Sequence, residues 1–205
     1  MTGLAAAGSR PGRDRILWAV IAALSLGIAL FSYRYLLGIG FVPPQIAANP
    51  FFRPFLFLHV AGAATALLVG PFQFLAAIRA GRPALHRWLG RLYAVGCLVG
   101  GAAGLPIAVG SSAGPVAATG FSLLSLAWLV ATALAWCAAR QRDFVRHRAW
   151  MIRSFALTLA AVTLRLYLPL VPLLPVDFLD GYRAIAFLCW IPNLIVAETW
   201  LRRRA

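Results

Sequence analysis

The chain contains only three histidines, His59, His86 and His147. An imidazole can ligate a metal, relay a proton or satisfy a buried polar group. Two of the three sit in related settings. One opens the segment His86-Arg87-Trp88-Leu89-Gly90-Arg91-Leu92-Tyr93, the other the segment His147-Arg148-Ala149-Trp150-Met151-Ile152-Arg153-Ser154. Two imidazoles facing each other across a helical bundle can hold haem iron axially, each through one ring nitrogen. Glycine beside a ligand lets a flat macrocycle approach the backbone, and arginines at the same level can pair with anionic propionates. His86 and His147 are therefore the candidate metal ligands, with Arg87, Arg91, Arg148 and Arg153 as candidate propionate partners and haem b as the cofactor this chemistry implies. The bland alternative is that His, Trp, Tyr and Arg are ordinary membrane-boundary residues, with His-Arg at a helix start meeting lipid phosphate.

His59 has no histidine partner at its depth. It is expected to be a structural hydrogen-bonder, or part of a quinone-type pocket with Arg53, Arg165 or Tyr167. An inward arginine close to hydrocarbon usually has an anionic or carbonyl partner, and Arg165 can equally snorkel to the interface.

Several chemistries are disfavoured. No Asp or Glu lies in the middle of an apolar run, whereas proton-coupled transport usually needs an intramembrane carboxylate or histidine relay. A phosphate-binding glycine loop needs a lysine and the chain has none; there is no His-Glu-x-x-His helix either. Cys97, Cys137 and Cys189 lie in three different apolar runs, odd in number and without a Cys-x-x-Cys pair, so neither a disulfide framework nor a zinc site is indicated.

The elements that must position these groups are membrane helices. Of the 205 residues 62% are hydrophobic and 12% charged, with a mean hydropathy of +0.84. Soluble domains carry about 45–50% apolar and about 25% charged residues, so the chain departs from them in both directions. Apolar runs extend roughly from Ile16 to Leu37, Phe55 to Ile78, Trp88 to Val109, Val116 to Ala139, Ala149 to Leu168 and Tyr182 to Leu201. Each approaches the length of about 20 residues that a span requires. The first run is too long for a signal peptide and lacks a small-residue cleavage site. Gly38 to Pro54, with Pro43-Pro44 and Asn49-Pro50, reads as a loop, and Pro192 is expected to kink the last helix.

A net charge of +14 would suggest nucleic acid in a soluble chain, but all 19 basic residues are arginines clustered between apolar runs. Fifteen of the 19 fall on one side: Arg10, Arg13, Arg15, Arg79, Arg82, Arg87, Arg91, Arg140, Arg142, Arg146, Arg148, Arg153 and Arg202 to Arg204. Arg34, Arg53, Arg165 and Arg183 fall on the other, with Asp177 and Asp180. The positive-inside rule makes the first side cytoplasmic, and the alternation closes only with an even number of spans. Expected is an all-α bundle of about six transmembrane helices, N-in and C-in, with a basic tail over residues 1–15 and one membrane domain over 16–205. It is expected in the inner (plasma) membrane.

Stepping each helix at about 100° per residue orients the side chains. His86, Gly90, Tyr93, Cys97, Gly100 and Gly104 form one stripe; His147, Ser154, Thr158, Ala161 and Arg165 form another; His59, Ala66, Gly70 and Gln73 share a face. Small and polar residues mark helix contacts in membranes, so all three histidines should point into the bundle. Such faces would serve a homodimer and internal packing equally well. Glu198, near the end of the last run, is expected to be neutralised by Arg202.

The segment Gly70-Pro71-Phe72-Gln73-Phe74, the two His-Arg segments above and Ala161-Val162-Thr163-Leu164-Arg165 together resemble a bacterial family of predicted membrane proteins of unknown function. The likeness covers most of residues 55 to 170 and implies the membrane class, without an activity. A looser likeness is to bundles of the cytochrome b561 type, whose inward histidines near helix ends bind two haems. Three histidines allow one such pair, so this likeness implies a single haem that exchanges electrons with a quinone or a partner protein. The alternative is a membrane subunit or small-molecule-binding protein without haem, in which His59, Arg165 and the Ser/Thr stripe line a polar cavity.

Overall fold

The computed structural model describes residues 11–203 except 41 and 43–46, and the side chains of residues 11, 13 and 14 are not described either. The basic tail expected over residues 1–15 thus lies largely outside the described residues. Among the described residues there are nine α-helices, eight of which build six spans, and no strand. Helix α1 (Pro11–Ser32) runs on through a 3-10 turn to Tyr35. Helix α2 (Phe57–Val69) is entered through a wide turn at Phe52–Leu56 and leaves through a 3-10 turn at Pro71–Phe74. A short surface helix, α3 (Ala76–Gly81), precedes the long helices α4 (Pro83–Val109) and α5 (Pro115–Arg140). The fifth span is broken into α6 (Phe144–Thr158), α7 (Ala160–Tyr167) and a 3-10 turn over Leu168–Leu173. The sixth is broken into α8 (Phe178–Leu188) and α9 (Ile191–Arg202).

Local chemistry explains the boundaries. Pro83 and Pro115 stand in the first turns of α4 and α5, where a missing N–H costs nothing. Asp143 and Asp177 cap α6 and α8, accepting from the backbone N–H of Arg146 at 3.0 Å and of Leu179 at 2.8 Å. The kink expected at Pro192 is present. The helix breaks just upstream, at Cys189-Trp190, so that the proline falls in the first turn of α9. All six spans are long and apolar enough to cross a bilayer: Arg15–Tyr35, Phe52–Phe74, Pro83–Val109, Pro115–Arg140, Phe144–Leu173 and Phe178–Arg202. Each encloses most of an expected run. An even number of spans brings the described ends of the chain, near Arg15 and Arg202, to the same face.

Packing follows the small residues. Helices α2 and α4 approach backbone to backbone: a Cβ added at Gly62 would lie 2.5 Å from the Gly96 carbonyl oxygen and from the Gly100 nitrogen. At Gly120 of α5 an added Cβ would meet the Ala186 backbone of α8 at 2.9 Å. Without a hydrophobic drive between helices in lipid, such close approach supplies the van der Waals attraction that holds them together. Bulky side chains turn the other way, and Val95, Leu98, Val130, Ile195 and Val196 are all exposed. The core is built of Ala66, Val69, Tyr93, Cys97, Trp128, Ala131, Phe155 and Leu157.

Candidate functional site

Polar groups meet where α4, α5 and α6 converge. The Tyr93 hydroxyl lies 2.9 Å from Ser154 Oγ and 2.8 Å from Thr158 Oγ1. Trp128 Nε1 donates to Thr158 Oγ1 at 2.9 Å, and Thr132 Oγ1 lies 2.8 Å from Ser154 Oγ. These five side chains are buried and tie three helices together, and the Thr132 and Thr158 hydroxyls also bond the backbone carbonyls of Trp128 and Ser154. The network fixes the register of α4 against α6.

That register places the histidines. Spans three and five run in the same direction, and His86 and His147 each stand seven residues before a partner in the Tyr93–Ser154 contact. Two turns back along parallel helices, roughly 10 Å, puts both imidazoles at one membrane face on the facing sides of α4 and α6. His86 lies within electrostatic reach of His147, Arg79 and Arg87. His147 Nδ1 donates to the Ala135 carbonyl of α5 at 2.9 Å, which fixes the ring and leaves Nε2 with its lone pair when the imidazole is neutral. His86 Nδ1 is buried with no hydrogen-bond partner among the described residues. The same holds for Nε2 of Gln73, whose Oε1 would stand 3.3 Å from a Cβ at Gly90, one turn beyond His86.

The arginines proposed for this level divide. Arg87, Arg91 and Arg148 are exposed, and Arg148 stacks over Trp200 at 5.6 Å. Arg153 instead reaches across to the sixth span and grips both carboxylate oxygens of Glu198 through Nε and Nη2, with its guanidinium 4.6 Å from the Trp150 ring centre. Arg202, expected to neutralise Glu198, acts on it through charge alone, and the hydrogen-bonded partner is Arg153, whose guanidinium fork matches both oxygens at once.

His59 stands at the opposite face. Its Nδ1 donates to the Gly100 carbonyl at 2.8 Å, in the stretch where α2 and α4 touch. A cavity of about 50 Å³ lies beside it, between the first, second and fifth spans, lined by Ser32, His59, Val60, Ala63, Ala64, Leu67, Ala161 and Arg165. Arg165 Nη1 donates to the Ala161 carbonyl at 2.9 Å and Nη2 to Ser32 Oγ at 3.0 Å. A neighbouring cavity of about 290 Å³ takes in Arg34, Tyr35, Phe52 and Arg53. Arg53 therefore belongs to a different cavity from His59, and Tyr167 lines neither. Neither cavity reaches His86 or His147.

One expectation drawn from helix faces is met in these contacts: all three histidines are turned inward, and on the face of His59 Gly70 packs on Phe155 and Ala66 on Gly96. Sequence reasoning missed Ser32 as a partner of Arg165, 133 positions away. It also missed Asn193, whose Nδ2 bonds Thr163 Oγ1 and the Cys189 carbonyl, both at 3.0 Å, across the break in the sixth span. A lone Asn immediately after Pro192 was the available signal. Among the described residues no group of three or more His, Cys, Asp and Glu side chains is placed to hold a metal ion.

Six apolar spans, lipid-facing bulky side chains and a small-residue interior define a multi-pass helical membrane protein. The chain belongs to the family described as "Predicted membrane protein (DUF2306)", whose model matches residues 56–201. That match takes in every histidine, Arg165 and Glu198. No curated protein and no solved structure matches the chain.

Proposed function

We propose that the protein is a membrane-embedded redox protein that holds one b-type haem between His86 and His147. The reading is carried by one observation: two imidazoles share a face of the bundle on parallel helices, at equal distance from the Tyr93–Ser154 contact. The residues present suit the group. His147 is oriented through Nδ1 by the Ala135 carbonyl, the arrangement that prepares Nε2 as a ligand. The His86 ring carries a buried nitrogen with no partner among the described residues, and Gly90, one turn on, faces the Gln73 amide oxygen. Arg87, Arg91 and Arg148 are exposed at the same end of the bundle, where propionates would meet cations. Arg153 is a weaker propionate partner, since Glu198 already occupies its guanidinium. Haem bound there would supply a one-electron couple, exchanging electrons with a quinone or a redox partner protein. The chain's own part is to orient two imidazoles, exclude water through the hydroxyl network beneath them, and neutralise propionate charge at the interface.

The test is a dithionite-reduced minus oxidised spectrum of protein purified in detergent after expression with haem supplied. Sharp bands of a six-coordinate b-type haem, lost in both His86→Ala and His147→Ala, are the expected result. A colourless wild-type protein at full yield, or both single variants keeping their haem, retires the proposal.

A further inference from the structure

The cavity beside His59 holds a charge that no carboxylate among the described residues pairs with. Two ion pairs occur among the described residues, Arg153–Glu198 and Arg183–Asp180, and neither includes Arg165. Arg165 is half-buried, and its hydrogen-bond partners among the described residues are a carbonyl and a hydroxyl, both neutral. Ser32 Oγ donates onward to the Ile28 carbonyl at 2.7 Å, so it faces the guanidinium as an acceptor only. A guanidinium has five N–H donors, so these two contacts leave capacity for a further acceptor. Across the cavity stands His59, whose Nδ1 is committed to Gly100 and whose Nε2 remains an acceptor in the neutral ring. The other walls are apolar, made of Val60, Ala63, Ala64, Leu67 and Ala161.

We infer that this cavity binds the carboxyl head of a single-chain amphiphile such as a long-chain fatty acid. The head binds as the carboxylate, so its charge offsets that of the guanidinium. Its oxygens face the spare Arg165 N–H groups, not His59 Nε2, since two acceptors do not pair. Size selects the head: the cavity, about 50 Å³, holds roughly three or four water-sized groups, enough for a carboxyl and a first methylene. A phosphodiester head with its glycerol is too large, and a quinone ring is as well. The apolar walls and the position between membrane spans suit an acyl tail lying in the gap between the first, second and fifth spans. This inference is independent of the haem reading, since it uses different residues at the opposite face.

The experiment measures equilibrium binding of tritiated palmitate to the full chain in phosphatidylcholine nanodiscs. Saturable binding is expected, uncompeted by hexadecanol or phosphatidate. Arg165→Gln should weaken it about tenfold or more, and so should Ala161→Leu, which fills the cavity but keeps the charge. Arg203→Gln, far from the cavity, should bind as wild type. Equal palmitate binding by wild type and Arg165→Gln overturns the inference. So does competition by hexadecanol, which marks a purely apolar site, or displacement by phosphatidate, which marks a phosphate site. If Arg165→Gln is not recovered as a monodisperse protein, Ala161→Leu decides, and undiminished binding by that variant overturns the inference.

Discussion

At the scale of single residues, Tyr93 organises the interior. Its hydroxyl serves two partners on α6, one of which also receives Trp128 from α5. Hydrogen bonds between membrane helices contribute about 0.6 kcal/mol on average and up to about 1.7 kcal/mol. Tyr93→Phe removes two at once and leaves Ser154 and Thr158 to repair their pairing. It should destabilise the bundle by about 1–2 kcal/mol in a reversible unfolding titration in bicelles. A change below about 0.3 kcal/mol would mean that the hydroxyls re-pair without Tyr93. The histidine faces were legible at this scale because glycine, alanine and hydroxyl residues recur on the stripes that carry them. Partners distant in sequence were not. A local rule pairs Glu198 with Arg202, four positions on, and nothing in the one-dimensional pattern announces that Arg153 presents a better fork from another span. Charge reversal tests that pair: Arg153→Glu and Glu198→Arg should each lower thermal stability, and the double variant should recover much of the loss. Additive losses in the double variant would show that the two side chains contribute separately.

At the scale of elements, the contact between α2 and α4 rests on missing side chains. A methyl group at Gly62 has no room against the Gly96 and Gly100 backbone, and backbone cannot rotate out of the way as a side chain can. Gly62→Ala should therefore cost about 1–3 kcal/mol or prevent folding. Gly27→Ala, whose added methyl meets nothing within 4 Å, should be neutral or stabilising by up to about 1 kcal/mol through helix propensity. Thermal aggregation onsets of the two variants, side by side, check this contrast. Equal onsets would deny the close approach. The element boundaries show what sequence could and could not disclose. Pro192 foretold a kink, since proline carries no N–H for the helical ladder. The break at Leu159 has no such marker, since neither proline nor glycine stands in residues 154–165.

At the scale of the whole molecule, the distribution of arginines makes a topological prediction. The face bearing Arg87, Arg148 and Arg202 should be cytoplasmic. An alkaline phosphatase fusion after Arg203 should be inactive, and one in the connection at Ser112 should be active. The reverse pattern would invert the bundle and with it the side of the membrane near which His86 and His147 lie. Six spans were legible because hydrocarbon thickness fixes both length and polarity of anything that crosses it. A cavity shared by His59 and Arg165 was legible, but not its other walls, which are mostly apolar and leave out Ser154 and Thr158. The cavity at Arg34 and Arg53 was not, because a void is a property of the gaps between helices and has no residue of its own.

The broken fifth span gives the two walls of the His59 cavity unequal stiffness. His59 is mounted on α2, locked against α4 at glycine contacts that tolerate no displacement. Arg165 is mounted on α7, an eight-residue segment with an interruption before it and a 3-10 turn after it. Short segments open locally at lower free energy than long packed ones. A guest entering the cavity would accordingly find one jaw fixed and one that yields, and any adjustment to its size would be borne by residues 160–167. Their amide hydrogens should exchange with solvent ahead of those of residues 57–69, and the gap should narrow when the cavity is filled.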